Sequence, residues 1–155
     1  MSLKRHIPNT LTSLNLLSGC FAIYFAFLQQ FDFVAYAVFM AAIFDFFDGF
    51  SARLFKVSSP IGKELDSLAD MVTFGVAPAM TVFNFLRNFQ SENTFQTLPW
   101  LVFTPFLIAV FSGLRLAKFN IDTRQSTSFI GVPTPANALF WVSFLTNSII
   151  SSINS

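Results

Sequence analysis

Charged residues are scarce in this sequence. Only 11% of its 155 residues are charged, whereas a soluble globular domain carries about 25%. No Asp, Glu, Lys or Arg occurs in residues 7–31, 71–86, 93–114 and 125–155. A membrane-spanning helix needs about 20 mostly apolar residues, so these stretches predict a protein embedded in a lipid bilayer.

Two further scarcities exclude whole classes of site. The single cysteine, Cys20, excludes a disulfide framework and a cysteine-based metal centre. The net charge is only +1, and no basic patch with interleaved polar residues occurs, which argues against a nucleic-acid partner.

Hydrophobic residues make up 54% of the chain, and 23 residues are Phe. Backbone groups in hydrocarbon must be satisfied within their own segment, and the alternating pattern of a membrane barrel is absent, so we predict helices. The fold class expected is an all-α, polytopic transmembrane bundle forming one domain over residues 1–155. Its five predicted spans are 11–30, 33–56, 64–86, 98–118 and 135–153.

The basic residues predict the orientation of these spans. Eight of the nine fall on one side of the predicted membrane, with only Arg87 opposite. The positive-inside rule makes that side cytoplasmic, so we expect an inner-membrane protein whose N-terminus faces the cytoplasm. The eight residues are Lys4, Arg5, Arg53, Lys56, Lys63, Arg115, Lys118 and Arg124.

Two pairs of aspartates interrupt the apolar helices. Asp45 and Asp48 are three residues apart near the end of the second span, and Asp66 and Asp70 are four apart on the third. Both spacings place the two carboxylates of a pair on one helix face. Ionised groups within a span are costly and by default mark function. Packing the two helices together would bring all four carboxylates to the cytoplasmic end.

Four clustered carboxylates repel one another unless a cation neutralises them. Oxygen ligands without nearby His or Cys favour Mg²⁺, Mn²⁺ or Ca²⁺. Four of them suffice for two ions, an arrangement that clamps a phosphoryl centre. The small residues Gly49, Ala52 and Gly62 leave room for a bulky ligand beside the metal, and the Arg53 guanidinium suits phosphate oxygens. The alternative is that the aspartates are interfacial charges paired with nearby basic residues.

The stretch DFFDGFSARLFKVSSPIGKELDSLAD, from Asp45 to Asp70, resembles the signature of the CDP-alcohol phosphatidyltransferases. The wider chain is similar to the branch that uses CDP-diacylglycerol and serine. The supporting stretches are IPNTLTSLNLLSG at 7–19, GKELDSLADMVTFGVAPA at 62–79, GLRLAKFN at 113–120 and FIGVPTPANA at 129–138.

The resemblance implies a role for each matching residue. Asp45, Asp48, Asp66 and Asp70 would hold Mg²⁺ or Mn²⁺ ions, two in number, and Asp70 would also act as the general base. The CDP-lipid would lie against Gly49, Ala52, Arg53 and Gly62. Arg115 and Asn120, and more weakly Asn15, would contact the headgroup or a phosphate. For Asn15 the alternative is a residue that only packs one helix against another.

The resemblance also implies substrates and partners. They are CDP-diacylglycerol, L-serine, the lipid bilayer and a second copy of the chain in a homodimer. The family has a six-helix core whereas five spans are predicted here, so we expect a piece truncated at its C-terminus.

Two alternatives stay open at this point. The same transfer could use inositol phosphate or a glycerol phosphate as acceptor. Intramembrane carboxylates also line ion paths in divalent-metal transport proteins, although the outer halves of the second and third spans are almost wholly apolar.

Overall fold

The computed structural model describes residues 6–56, 59–91, 99–121 and 134–153. In these ranges the chain is helical, with α1 at His6–Phe27, α2 at Phe31–Phe55, α3 at Pro60–Asp70, α4 at Ala77–Ser91, α5 at Phe106–Ile121 and α6 at Thr134–Ile153. The prediction of an all-α bundle is confirmed. Lys4, Arg5, Arg124 and residues 129–133, which entered the sequence interpretation, lie outside the described residues.

Helices α1 and α2 form a tight antiparallel hairpin. Gln29 adopts a left-handed conformation with φ of 60°. Its amide donates to the carbonyl of Ala26 at 3.1 Å, and the Gln30 amide donates to that of Phe25 at 3.0 Å. This pattern is a Schellman motif, which satisfies the last carbonyls of α1 and reverses the chain within a few residues.

The third predicted span is one continuous helical segment with an irregular centre. Ser59 caps its start by accepting from the Gly62 amide at 3.0 Å, and Pro60 occupies the first turn, where its missing amide costs nothing. Between α3 and α4, residues Met71–Val76 form a π-helix. Turns of this kind are often found at functional sites, and here the wide turn begins directly after Asp70.

The fourth predicted span, 98–118, is not one regular helix. Its first part, Pro99–Phe103, is a 3₁₀-helix, and α5 begins only at Phe106. Pro105 explains the break, because its ring supplies no amide to an α-helical hydrogen bond. The side chain of Phe83 on α4 packs against both pieces, with ring centroids 5.9 Å from Phe103 and 5.1 Å from Phe106.

Small side chains fill the interior of the bundle, and large apolar ones face outward. The buried residues of α1 recur every three or four positions and are Thr12, Asn15, Gly19, Ala22 and Ala26. Large exposed side chains on the same helix include Leu17, Phe21 and Tyr24. Close helix contact through small residues is typical of membrane bundles.

Four helical segments in the described part of the chain are long and apolar enough to cross a membrane: His6–Phe27, Phe31–Phe55, Pro60–Asn88 and Trp100–Ile121. Together with the outward-facing apolar side chains, they make this an integral membrane protein.

Gly19 marks the closest approach of α1 to the π-helix. A Cβ atom there would overlap Thr73 Oγ1 and lie 3.0 Å from Thr73 Cα. We predict that Gly19→Ala lowers the thermal unfolding midpoint in detergent, because overpacking costs about 1–3 kcal/mol. This cost exceeds the gain of about 1 kcal/mol in helix propensity.

Gly113→Ala is the matched control. Its Cβ would meet only the flexible end of Met71, at 3.3 Å, and this variant should unfold at the wild-type temperature or above it. Equal midpoints for the two variants would contradict the assignment of a backbone clash at Gly19.

Candidate active site

The structure brings the two aspartate pairs together where α2, α3 and α1 meet. One carboxylate oxygen from each of Asp45, Asp48 and Asp66 lies within 4.8 Å of the other two. The carboxyl group of Asp70 lies beside that of Asp45. Asp45 therefore links the other two members of the group, Asp48 and Asp66, to Asp70.

The donor atoms fit a divalent cation. Metal–oxygen bonds of about 2.1–2.4 Å place ligand atoms on opposite sides of one ion about 4–5 Å apart. The three carboxylate oxygens lie no more than 4.8 Å from one another, close enough for one ion to contact all three. Asp66 Oδ1 is buried and accepts no hydrogen bond from the described residues, so it retains capacity for a cation.

Helix α1 supplies hydrogen bonds to both aspartate pairs. The Thr12 hydroxyl donates to Asp48 Oδ2 at 2.6 Å. One turn later, Asn15 Nδ2 donates to Asp70 Oδ1 at 3.3 Å. Thr12 is 3% exposed, Asn15 is fully buried and Asp48 is 6% exposed, so water does not compete strongly for these contacts.

A cleft opens beside the aspartates between the start of α1, the end of α2 and the start of α3. Its wall contains the predicted small residues Gly49, Ala52 and Gly62, together with two aspartates. The full lining is Pro8, Asn9, Thr12, Asp48, Gly49, Ala52, Ser59, Gly62, Lys63 and Asp66. The cleft thus joins carboxylates and the three predicted small residues with a basic side chain, Lys63, whereas the predicted basic residue was Arg53.

Two glycines line this cleft, and Gly62 is the one where neighbouring groups approach closely. A Cβ at Gly62 would lie 2.9 Å from Ser59 Oγ and 3.0 Å from Asn9 Oδ1, closer than a side chain tolerates. At Gly49 a Cβ would meet only Arg53 Nη2, at 3.8 Å. The Arg53 side chain folds back on its own helix, where Nε donates to the Gly49 carbonyl at 3.0 Å; Arg53 itself is not among the lining residues, although it lies beside Gly49, which is.

The two predicted headgroup residues lie outside this cleft. Arg115 lines a separate cavity between α5 and α6, with Ser112, Thr134, Asn137 and Trp141 among its walls. Asn120 instead contacts α3. Its side-chain Nδ2 donates to Ser67 Oγ at 2.8 Å, and its backbone carbonyl accepts from Lys63 Nζ at 3.3 Å.

Several residues of the site were missed by the sequence interpretation. Thr12, Asn9, Ser59 and Lys63 line the cleft, yet none belongs to the spacing pattern of the aspartates. Thr12 did carry a usable signal, because it is polar and lies three residues before Asn15, already a weaker candidate, in a stretch without charge. Such residues on one face of an apolar helix predict contact with a polar partner on a neighbouring helix.

Comparison with known proteins identifies the family. The family model for CDP-alcohol phosphatidyltransferase matches residues 5–152. The chain is 34% identical over 151 residues to a CDP-diacylglycerol–serine O-phosphatidyltransferase of Bacillus subtilis (strain 168), covering 96% of this chain and 81% of that protein. No solved structure matches the chain significantly.

Two other relatives carry the same name. The Helicobacter pylori (strain J99) protein is 39% identical over 137 residues, and the Methanocaldococcus jannaschii protein is 37% identical over 150 residues. The chain spans 55% and 65% of their respective lengths. The match over nearly the whole chain confirms the resemblance seen in the aspartate motif: this protein belongs to the CDP-alcohol phosphatidyltransferase family.

Proposed function

We propose that this protein transfers a phosphatidyl group from CDP-diacylglycerol to L-serine, giving phosphatidylserine and CMP. The observation that carries the proposal is the aspartate cluster at the wall of a cleft lined by Gly49, Ala52 and Gly62. Family membership supports the donor, and the shared name of the relatives supports the acceptor.

The chemistry follows from the four aspartates, of which Asp48 and Asp66 line the cleft. The serine hydroxyl oxygen attacks the phosphorus that bears diacylglycerol, and the bond from that phosphorus to the oxygen of CMP breaks. Asp70 takes the hydroxyl proton, since a positioned carboxylate can act as general base. Asp45, Asp48, Asp66 and Asp70 would hold the Mg²⁺ or Mn²⁺ ions, for which we keep the number of two that the family resemblance implies. Bound divalent cations would neutralise charge on the diphosphate oxygens.

The remaining residues bind and orient the donor. Gly49, Ala52 and Gly62 give the cytidine diphosphate room at the cleft wall. Arg53 lies beside Gly49, where its guanidinium can turn toward a phosphate oxygen. Arg115 does not line the cleft beside the aspartates. We assign it to a headgroup or phosphate contact in the separate cavity between α5 and α6.

The membrane arrangement suits a lipid donor and a soluble acceptor. The acyl chains stay in the bilayer while the nucleotide reaches the end of the bundle where the basic residues gather. We infer from the charge distribution that this end faces the cytoplasm. A homodimer and a single catalytic domain complete the proposal, on family resemblance alone.

The acceptor is tested directly with purified protein and labelled CDP-diacylglycerol. We expect CMP release that requires Mn²⁺ or Mg²⁺, stops on adding a chelator and is at least tenfold faster with L-serine than with a glycerol phosphate or inositol phosphate. Faster release with one of the other alcohols would reassign the acceptor. Metal flux into vesicles without CMP release would instead favour transport.

Asp70→Asn tests the general base. Asn keeps the shape of the side chain and an oxygen that can accept from Asn15, but it cannot take a proton at this point of the reaction. We predict a loss of at least a hundredfold in kcat, in line with the usual contribution of about 10²–10⁴ from general-base catalysis. Nucleotide binding, measured by equilibrium dialysis, should remain substantial.

Asp32→Asn is the matched control for that variant, since Asp32 lies in the first turn of α2, far along the helix from Asp45. It should keep wild-type turnover. Normal turnover by Asp70→Asn would remove Asp70 from the base role.

Orientation is tested with a cysteine at the cleft. Lys63 is exposed and lines the cleft, so we expect Lys63→Cys, in a Cys20→Ser background, to react with a membrane-impermeant maleimide only from the cytoplasmic side. Labelling of intact cells from the outer face would reverse the proposed topology.

A further inference from the structure

Helix α1 carries no aspartate, yet it contacts both carboxylate pairs. Thr12 donates to Asp48 on α2, and Asn15 donates to Asp70 on α3. The two donors are three residues apart, so they lie on the same face of α1. One rigid turn of α1 therefore touches one member of each pair.

The depth and register of that turn are fixed by its neighbours. Thr73 Oγ1, in the π-helix, donates to the backbone carbonyl of Asn15 at 3.2 Å. Gly19, one turn further along α1, allows the backbone of Thr73 to approach closely. These contacts hold α1 against the segment that immediately follows Asp70.

Asn15 is a costly residue in its place. Its side chain is fully buried, and Oδ1 has no hydrogen-bond partner among the described residues. A buried acceptor without a partner costs about 1–3 kcal/mol. Leu would fit an apolar helix face without that cost, so packing alone does not explain an Asn at this position.

We propose that Thr12 and Asn15 are positioning residues, through which α1 sets the register between the carboxylate pair of α2 and that of α3. Groups that hydrogen-bond to metal-binding side chains commonly change metal affinity by about 10–100-fold when removed. Thr12 occupies Asp48 Oδ2, and Asn15 occupies Asp70 Oδ1. Each bond limits rotation of its carboxylate, and in Asp70 it acts together with the contact between the carboxyl groups of Asp70 and Asp45. The assignment of Asn15 to turnover rests on the proposed role of Asp70.

Thr12→Val tests the contact with Asp48, because Val keeps the shape of Thr without its hydroxyl. We expect Mn²⁺ affinity, measured by electron paramagnetic resonance titration, to fall at least tenfold. Thr10→Val is the matched control on the same helix. Among the described residues the exposed Thr10 hydroxyl donates only to the His6 carbonyl, so this variant should leave Mn²⁺ affinity unchanged. Thr12→Ser retains a hydroxyl and should recover most of the lost affinity.

Asn15→Leu tests the contact with Asp70. We expect kcat at saturating Mn²⁺ and substrates to fall at least tenfold, while KM for CDP-diacylglycerol changes less than threefold. Leu removes the unpaired Oδ1 but also leaves Asp70 Oδ1 without its donor, so its two effects on the thermal unfolding midpoint oppose each other, and kcat at saturating Mn²⁺ is the deciding measurement. Asn84→Leu is the control: Asn84 is also buried, but within the part of the chain that the structure describes its Nδ2 donates only to the Met80 carbonyl of its own helix, at 2.9 Å. It should keep kcat.

Several results would overturn the proposal. One is that Thr12→Val and Thr10→Val bind Mn²⁺ equally well. Another is that Asn15→Leu and Asn84→Leu have equal kcat. A third is that Thr12→Ser recovers none of the lost Mn²⁺ affinity. If the wild-type protein releases no CMP with any acceptor, the proposed function fails, yet the Mn²⁺ titrations of the two Thr variants still decide whether Thr12 positions Asp48.

Discussion

The gathering of four carboxylates, one buried and three half-buried, in an apolar bundle is the constraint on which the rest of this structure depends. An isolated charge in a low-dielectric interior is expensive, so each carboxylate needs cations or hydrogen-bond donors nearby. Asp48 lies almost wholly inside the bundle, and its partner on α1 is the buried Thr12. The polar residues of α1 supply such donors, and the open cleft beside α3 gives cations access to the concentrated negative charge.

The same constraint explains why the helices approach so closely here. Donors as short as Thr and Asn reach a carboxylate on another helix only when the backbones are near one another, and small residues make that possible. Gly19 and the adjacent alanines of α1 supply the necessary space. The π-helix after Asp70 brings Thr73 onto the α1 backbone, which couples the geometry of α3 to α1.

Sequence reasoning predicted the parts of this arrangement that depend on helical periodicity. Helical spacing places Asp45 with Asp48, and Asp66 with Asp70, on one helix face each. The predicted small residues Gly49, Ala52 and Gly62 do line the cleft. The π-helix was not predictable, because it depends on contacts between α1 and the third span. Pro105 could have indicated the break in the fourth span, but the strong apolar pattern around it concealed the signal. The separation of Arg115 from the aspartates required the relative placement of α5 and α6, about which spacing along the chain says nothing.

The outward-facing phenylalanines have a consequence for how such a protein diverges. Acyl chains are fluid and adapt their shape, so a lipid-facing Phe on α2, such as Phe39 or Phe46, needs bulk and low polarity but no matching partner surface. The buried Ala and Gly positions contact side chains and backbone that cannot move aside to accept a larger residue. Relatives should therefore drift freely among large apolar residues on the outside while the helix axes stay in place. In this kind of bundle, overall sequence identity understates how similar two backbones are.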